Sequence, residues 1–232
     1  MRRAARLSVL ALAALTIWPP AAPAQDRPPA PPPSYYRPVV VDGMTFPVAR
    51  ANWHSVVTFG RDWHDPRFRL IGGRWQLVGV HEGNDIIAEE GTPILSMTAG
   101  RVEAVGWTFY SGTRVGIRGA DSRYYFYAHL SEVASGIGVG AAVEPGTVLG
   151  RVGNTGYGDP GQEDEFPPHL HLGIRDGDAW VDPYSTVRRL YAESVRVTTR
   201  GERQLARLSR AGDLDAYERL LERLYAGAGT EE

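Results

Sequence analysis

Arg101-Val-Glu-Ala-Val-Gly-Trp107, Thr113-Arg-Val-Gly-Ile-Arg118 and Arg123-Tyr-Tyr-Phe-Tyr-Ala-His129 follow one another with only a few residues between them. Each is a short β-type run, and turn signals such as Ala99-Gly100, Arg118-Gly119 and Pro145-Gly146 separate these runs and their neighbours. Thr147–Val152 and His169–Arg175 read the same way. Strands this close together, with few helical stretches between them, predict an antiparallel all-β core rather than alternating βαβ units.

Outward from that core, both ends of the chain change character. At the start, Arg2, Arg3 and Arg6 precede an apolar run from Leu7 to Ile17 and then Ala22-Pro-Ala24. This is the layout of a secretory signal peptide over residues 1–24, with cleavage expected between Ala24 and Gln25. The run is shorter than the roughly 20 residues a transmembrane helix needs, so no membrane span is expected after cleavage. Residues 25–38 are proline-rich and are expected to form an extended tether without core. Residues 39–186 then form the main domain, and 187–232 a helical extension. Toward this end of the chain Asp182-Pro183 opens one helix, Thr199-Arg-Gly-Glu202 has the form of a capping box opening a second, and Gly212-Asp213 precedes a third. Packing of these short C-terminal helices on the β core is the expectation; a protein regulator bound through them is the alternative.

Composition narrows the function. The chain has no cysteine, which excludes disulfides, thiolate metal sites and a lipidated cysteine after the signal. Removing residues 1–24 takes away three arginines and no acid, so the net charge moves from −2 to −5. A mildly acidic protein does not neutralise phosphates well, so no nucleic-acid partner is expected. The signal implies export; the periplasm is favoured over the extracellular space because nothing resembles a surface anchor.

Four of the six histidines sit in three short motifs: His81-Glu-Gly-Asn-Asp85, Tyr127-Ala-His129-Leu-Ser131 and Pro168-His169-Leu-His171. His81, Asp85 and His171 make a two-histidine, one-carboxylate set, which can hold zinc and leave a fourth position open. The same set can hold ferrous iron. Gly83-Asn84 before Ile86-Ile87 places His81 and Asp85 at a strand end or loop rather than on a helix. That separates them from the helical His-Glu-x-x-His motif and gives Glu82 no role. Two residues apart on a strand, His169 and His171 face one groove. By the same alternation His129 shares a face with Tyr125 and Tyr127. His54 and His64 read as loop residues, and Asp159, Glu163, Asp164 and Glu165 give the approach to His169 an acidic loop.

Gly79-Val-His81-Glu-Gly83-Asn-Asp85, Gly91-Thr-Pro-Ile94, Ala99-Gly100-Arg-Val102, Tyr127-Ala-His129-Leu-Ser131, Gly150-Arg-Val-Gly153 and Pro168-His-Leu-His171-Leu-Gly-Ile-Arg175 together resemble the M23 peptidases, the lysostaphin/LytM-type zinc endopeptidases. The resemblance runs from about residue 45 to 185. It implies an antiparallel β-sheet groove, one Zn2+ held by His81, Asp85 and His171, and His129 and His169 beside the catalytic water. It also implies peptidoglycan peptide as substrate. Relatives that only activate cell-wall amidases share the fold but have lost such residues, whereas all five positions are filled here. A non-catalytic amidase regulator of this type is nonetheless the alternative reading, and a wall-binding protein with incidental zinc is a third.

Overall fold

A computed structural model of the chain describes residues 35–51, 57–158, 160 and 166–225. The expected signal peptide, residues 25–34 of the tether, His54 and the acidic side chains of Asp159 and Glu163–Glu165 lie outside the described residues. The strands are β1 (Thr58–Phe59), β2 (Pro66–Ile71), β3 (Arg74–Val80), β4 (Asn84–Ile87), β5 (Pro93–Leu95), β6 (Gly100–Thr108), β7 (Gly112–Gly119), β8 (Tyr124–Val133), β9 (Ala142–Val143), β10 (Val148–Val152), β11 (His169–Asp176) and β12 (Ala179–Val181). Helices α1 (Tyr184–Ala211) and α2 (Leu214–Leu224) follow.

Ten strands form one antiparallel sheet whose main path is β1-β4-β11-β8-β7-β6-β9, and β2 pairs with β3 as a separate hairpin. All five runs expected from the sequence are strands of this sheet. Period-2 alternation sorts the central strands into two faces. Ile86, Ile117, Tyr125, Tyr127, Leu130, Leu170 and Leu172 are at most 1% exposed and fill the core. Full burial of each such aliphatic or aromatic side chain contributes about 1.5–3 kcal/mol. The Tyr127 hydroxyl accepts from the Met97 N–H at 2.9 Å, which satisfies its polar atom inside the core. On the opposite face, register pairs His171 with Asp85 on one side and with Ala128 on the other, and this face carries the candidate site.

The β2–β3 hairpin stands apart from the core. Phe68 pairs with Leu77 and Leu70 with Trp75, and all four are more than half exposed. Arg67 and Arg69 occupy the other face of β2.

At the C-terminal end, the expected break at Thr199–Glu202 does not occur. Helix α1 runs through it for 28 residues. Gly201 marks a close approach instead: a Cβ there would lie 2.3 Å from Leu224 Cδ2, so the glycine lets α2 pack against α1. The helix ends at Gly212, in the left-handed region at φ 71°, and the Asp213 side chain caps α2 by accepting from the Ala216 N–H. Val187 and Leu190 of α1 belong to the β-sheet core, so this helix packs on the domain as expected. The end of the tether also departs from expectation. Tyr36 is 8% exposed, stacks on Tyr225 and donates to Glu202, while the Arg37 N–H donates to the Leu224 carbonyl. A large aromatic ring beside two apolar helices gains more by burial than an extended, solvated path would offer. Among the described residues no helix is long and apolar enough to cross a membrane.

Candidate metal and catalytic site

His81 follows β3 in a loop, Asp85 lies in β4 and His171 in β11. His81 Nε2 is 2.9 Å from His171 Nδ1 and 3.0 Å from Asp85 Oδ1, and His171 Nδ1 is 2.9 Å from that same oxygen. Three donor atoms therefore form a nearly equilateral triangle. Zinc ligands at about 2.0–2.1 Å with tetrahedral angles stand roughly 3.3 Å apart, so the set fits a zinc ion with a small outward adjustment. His129 and His169 stand beside this set, with the His129 ring 5.9 Å from that of His171. Glu82, between His81 and Asp85 in sequence, is exposed.

Residues around the triangle fix its orientation. The His81 Nδ1–H donates to the Asp62 carbonyl at 3.0 Å, with the Asp62 carboxylate 3.4 Å away, which turns Nε2 with its lone pair toward the site. Asp62 also accepts from the Asn84 amide at 2.6 Å and from the Asp85 N–H at 3.0 Å. Arg67 of the hairpin donates to Asp85 Oδ2 at 3.0 Å, leaving Oδ1 for the metal. Burial alone would raise the Asp62 and Asp85 carboxyl pKa values, but interactions of Asp62 with His81, the Asp85 N–H and Asn84, and of Asp85 with His171 and His81, outweigh it and hold both below the usual range. Burial likewise disfavours charge on His81, yet bonds to Asp62 and Asp85 push its pKa up to about 9. The pocket is built to hold positive charge, whether as a proton or as a metal ion.

His169 lies on the groove face of β11 with His171, as the period-2 reading expects. His129 does not follow its strand. Between Tyr127 and Leu130 of β8 the register against β7 advances only from Val115 to Thr113, so β8 carries one extra residue there, a β-bulge. His129 sits in it with φ 64°. The bulge breaks the alternation that would have put His129 beside Tyr125 and Tyr127 in the core. Its ring instead lies 4.8 Å from that of His169 and 5.9 Å from that of His171.

Both of these imidazoles have a fixed tautomer. His129 Nδ1 is 2.7 Å from the Thr155 carbonyl and His169 Nδ1 is 2.9 Å from the Pro167 carbonyl. A carbonyl only accepts, so each Nδ1 carries the proton and each Nε2 presents a lone pair. Burial, reinforced by repulsion from His169 and His171, lowers the His129 pKa to about 3. Burial also lowers that of His169. Two neutral histidines, each with an acceptor nitrogen, stand beside the triangle.

Asp62 and Arg67 escaped the sequence reading. They lie in a loop and a hairpin well before the motif, and only pairing of β2–β3 and packing of that loop on β4 bring them to Asp85. Gly83 carries a turn signal in sequence, and in the fold a Cβ there would stand 2.4 Å from His171 Cε1.

Known proteins are similar to this chain over the segment that carries the site. The chain is 45% identical over 130 residues to an L-Ala--D-Glu endopeptidase of Bacillus subtilis (strain 168), a match covering 54% of this chain and 38% of that protein. It is 33% identical over 96 residues to lysostaphin of Staphylococcus simulans, covering 40% of this chain and 18% of that protein. The chain thus spans well under half the length of these curated relatives. A crystal structure from Ruminococcus gnavus, assigned as a glycyl-glycine endopeptidase lytM, superposes with a TM-score of 0.54 at 32% identity, over 65% of this chain and 61% of that one. Residues 79–183 match the sequence profile of peptidase family M23. With the antiparallel β-sheet and the clustered histidine motifs on the same segment, residues 79–183 form a domain of peptidase family M23.

Proposed function

We propose that this protein is an exported, zinc-dependent endopeptidase that hydrolyses peptide bonds of peptidoglycan in the periplasm. The observation that carries this reading is the convergence of His81 Nε2, His171 Nδ1 and Asp85 Oδ1 within 3.0 Å of one another, with two neutral histidines beside them. Two matched relatives are named for the peptide bonds they cut, an L-Ala--D-Glu endopeptidase and a glycyl-glycine endopeptidase, which supports the reading. The export signal at residues 1–24 would carry the enzyme to its substrate.

Zinc held by His81, Asp85 and His171 would supply Lewis acidity, lowering the pKa of a water from about 15.7 toward about 7 and polarising a carbonyl oxygen. The protein's own residues move the protons. A neutral imidazole whose Nε2 is free accepts a proton from the attacking water and returns it to the departing amine. His129 and His169 both meet that requirement, because Thr155 and Pro167 hold their Nδ1 protons. The histidine that takes this proton carries it as Nε2–H and can donate it to charge on the tetrahedral centre before passing it to the departing amine, while the other stays a neutral acceptor. An amidase regulator needs none of these groups, and their joint retention favours the enzyme.

Digestion of purified peptidoglycan with product analysis by mass spectrometry tests the reading and names the bond cut. Asp85→Ala and His171→Ala should abolish both stoichiometric zinc and hydrolysis. Full zinc occupancy in either variant, by elemental analysis, would remove that residue from the ligand set.

A further inference from the structure

Arg67 and Arg69 project from the same face of β2, about 7 Å apart along the strand. Arg67 is committed to Asp85. Arg69 has no acidic partner among the described residues. Its guanidinium donates to the Tyr110 hydroxyl at 3.1 Å and lies 5.3 and 5.7 Å from the ring centroids of Tyr110 and Phe109. Those rings belong to the turn joining β6 and β7, so Arg69 reaches across from the hairpin to the main sheet. From Tyr110 an aromatic path returns to the site: the Tyr110 and Tyr157 rings are 6.0 Å apart, and those of Tyr157 and His129 are 6.1 Å apart.

We propose that Arg69 is a specificity-determining residue, the carboxylate-reading end of the substrate groove, selecting peptides with a free carboxylate one or two residues from the bond cleaved. The geometry sets that interval. An extended peptide advances about 3.3–3.6 Å per residue, so the 7 Å step from Arg67 at the metal ligand to Arg69 spans about two residues. A planar guanidinium already held on one side by a hydroxyl and two rings keeps its remaining N–H groups oriented, and a carboxylate accepts two of them in parallel. The rings also restrict Arg69 before substrate arrives, which lowers the ordering cost of binding. Nearby charge favours the same choice of ligand: Arg74 at the hairpin tip adds positive charge, and residues 66–80 contain three arginines and no acid. In a chain whose net charge is negative, this hairpin is a local cationic wall.

The inference rests on the peptidase reading, and a binding measurement separates the two. The probe is L-Ala-γ-D-Glu-L-Lys-D-Ala with an amidated C-terminus, compared with the same peptide carrying a carboxamide in place of the D-Glu α-carboxylate. Calorimetric titration of the zinc-loaded protein at low ionic strength should show about tenfold tighter binding of the carboxylate form, the reach of one charge-assisted bidentate contact. Arg69→Gln should bring the ratio close to one, and Arg69→Lys should recover part of it. Arg74→Gln removes the same charge from the same hairpin and should keep the preference. Equal affinity of the wild-type protein for the two peptides overturns the inference, as does a tenfold preference that survives Arg69→Gln. A preference without any hydrolysis of peptidoglycan would uphold the carboxylate site and overturn the peptidase reading.

Discussion

Replacing Gly83 by alanine should cripple the metal site although Gly83 offers no ligand. A Cβ on residue 83 would lie 2.4 Å from His171 Cε1, 2.6 Å from its Nε2 and 2.8 Å from the Leu172 carbonyl oxygen. Non-bonded carbon atoms rest at about 3.5–4.0 Å, so the imidazole must retreat by roughly 1 Å. It has nowhere to go without moving Nδ1, the ring atom bonded to Cε1 and placed 2.9 Å from both His81 and Asp85. The carbonyl contact is equally stiff, because Leu172 is paired with Asn84 across β11 and β4. A displacement of about 1 Å at a catalytic group costs on the order of 100-fold in rate, and disturbing a ligand's orientation costs about 10–100-fold in metal affinity. Gly83→Ala should therefore lose zinc to a chelator at about 10–100-fold lower chelator concentration and lose at least 100-fold in kcat/KM. Gly138→Ala, where nothing stands within 4 Å of the new methyl, should match the wild type in both assays. If Gly83→Ala keeps wild-type zinc affinity and kcat/KM, the close approach of this glycine to His171 plays no part in the site.

Three more outcomes follow from the geometry. His129→Ala and His169→Ala should keep zinc yet lose about two to four orders of magnitude in kcat, the usual reach of acid–base catalysis; loss of metal in either would place that histidine among the ligands. Asp62→Ala keeps the backbone carbonyl that accepts from the His81 Nδ1–H but removes the carboxylate, which stands 3.4 Å from that nitrogen and also accepts from Asn84 and the Asp85 N–H. It should lower zinc affinity about 10–100-fold in chelator competition, with unchanged affinity refuting the orienting role of the carboxylate. Gly201→Ala gains up to about 1 kcal/mol in helix propensity but forces Leu224 aside at 2.3 Å, an overpacking cost of about 1–3 kcal/mol. A net loss of about 1 kcal/mol should appear in urea unfolding and should vanish in a Leu224→Ala background; a higher urea midpoint for Gly201→Ala would contradict the packing account.

The elements whose information is local were legible in the sequence. The five strand runs carry their own alternation and turn residues, and His169 with His171 needs only the two-residue period of a strand to face one groove. Asp213 and Gly212 announce a helix boundary by chemistry that acts within a turn. Where the deciding contact is distant in sequence, the same reading ran out. Thr199-Arg-Gly-Glu202 has the form of a helix start, but Leu224, brought in by α2, makes Gly201 a packing residue inside one continuous helix. Asp62 and Arg67 look like ordinary loop and strand charges until folding sets them against His81 and Asp85.

His129 shows most clearly why a site residue can be named from a motif and still be misplaced by periodicity. Strict alternation from Tyr125 and Tyr127 sends it into the core, where an imidazole would need two polar partners. The extra residue in β8 reverses its direction, and Leu130 then resumes the core face at 0% exposure. A non-glycine residue at φ 64° costs on the order of 1–3 kcal/mol. Two bonds oppose that cost: the His129 N–H donates to the Ser111 carbonyl at 2.9 Å, and Nδ1 donates to the Thr155 carbonyl. Both acceptors lie in loops beside β7 and β10, so the conformation is imposed by neighbours that no local pattern around residue 129 reports. Those same two bonds aim Nε2 at the groove, which makes the strained turn the device that delivers a neutral, proton-accepting nitrogen to the metal triangle.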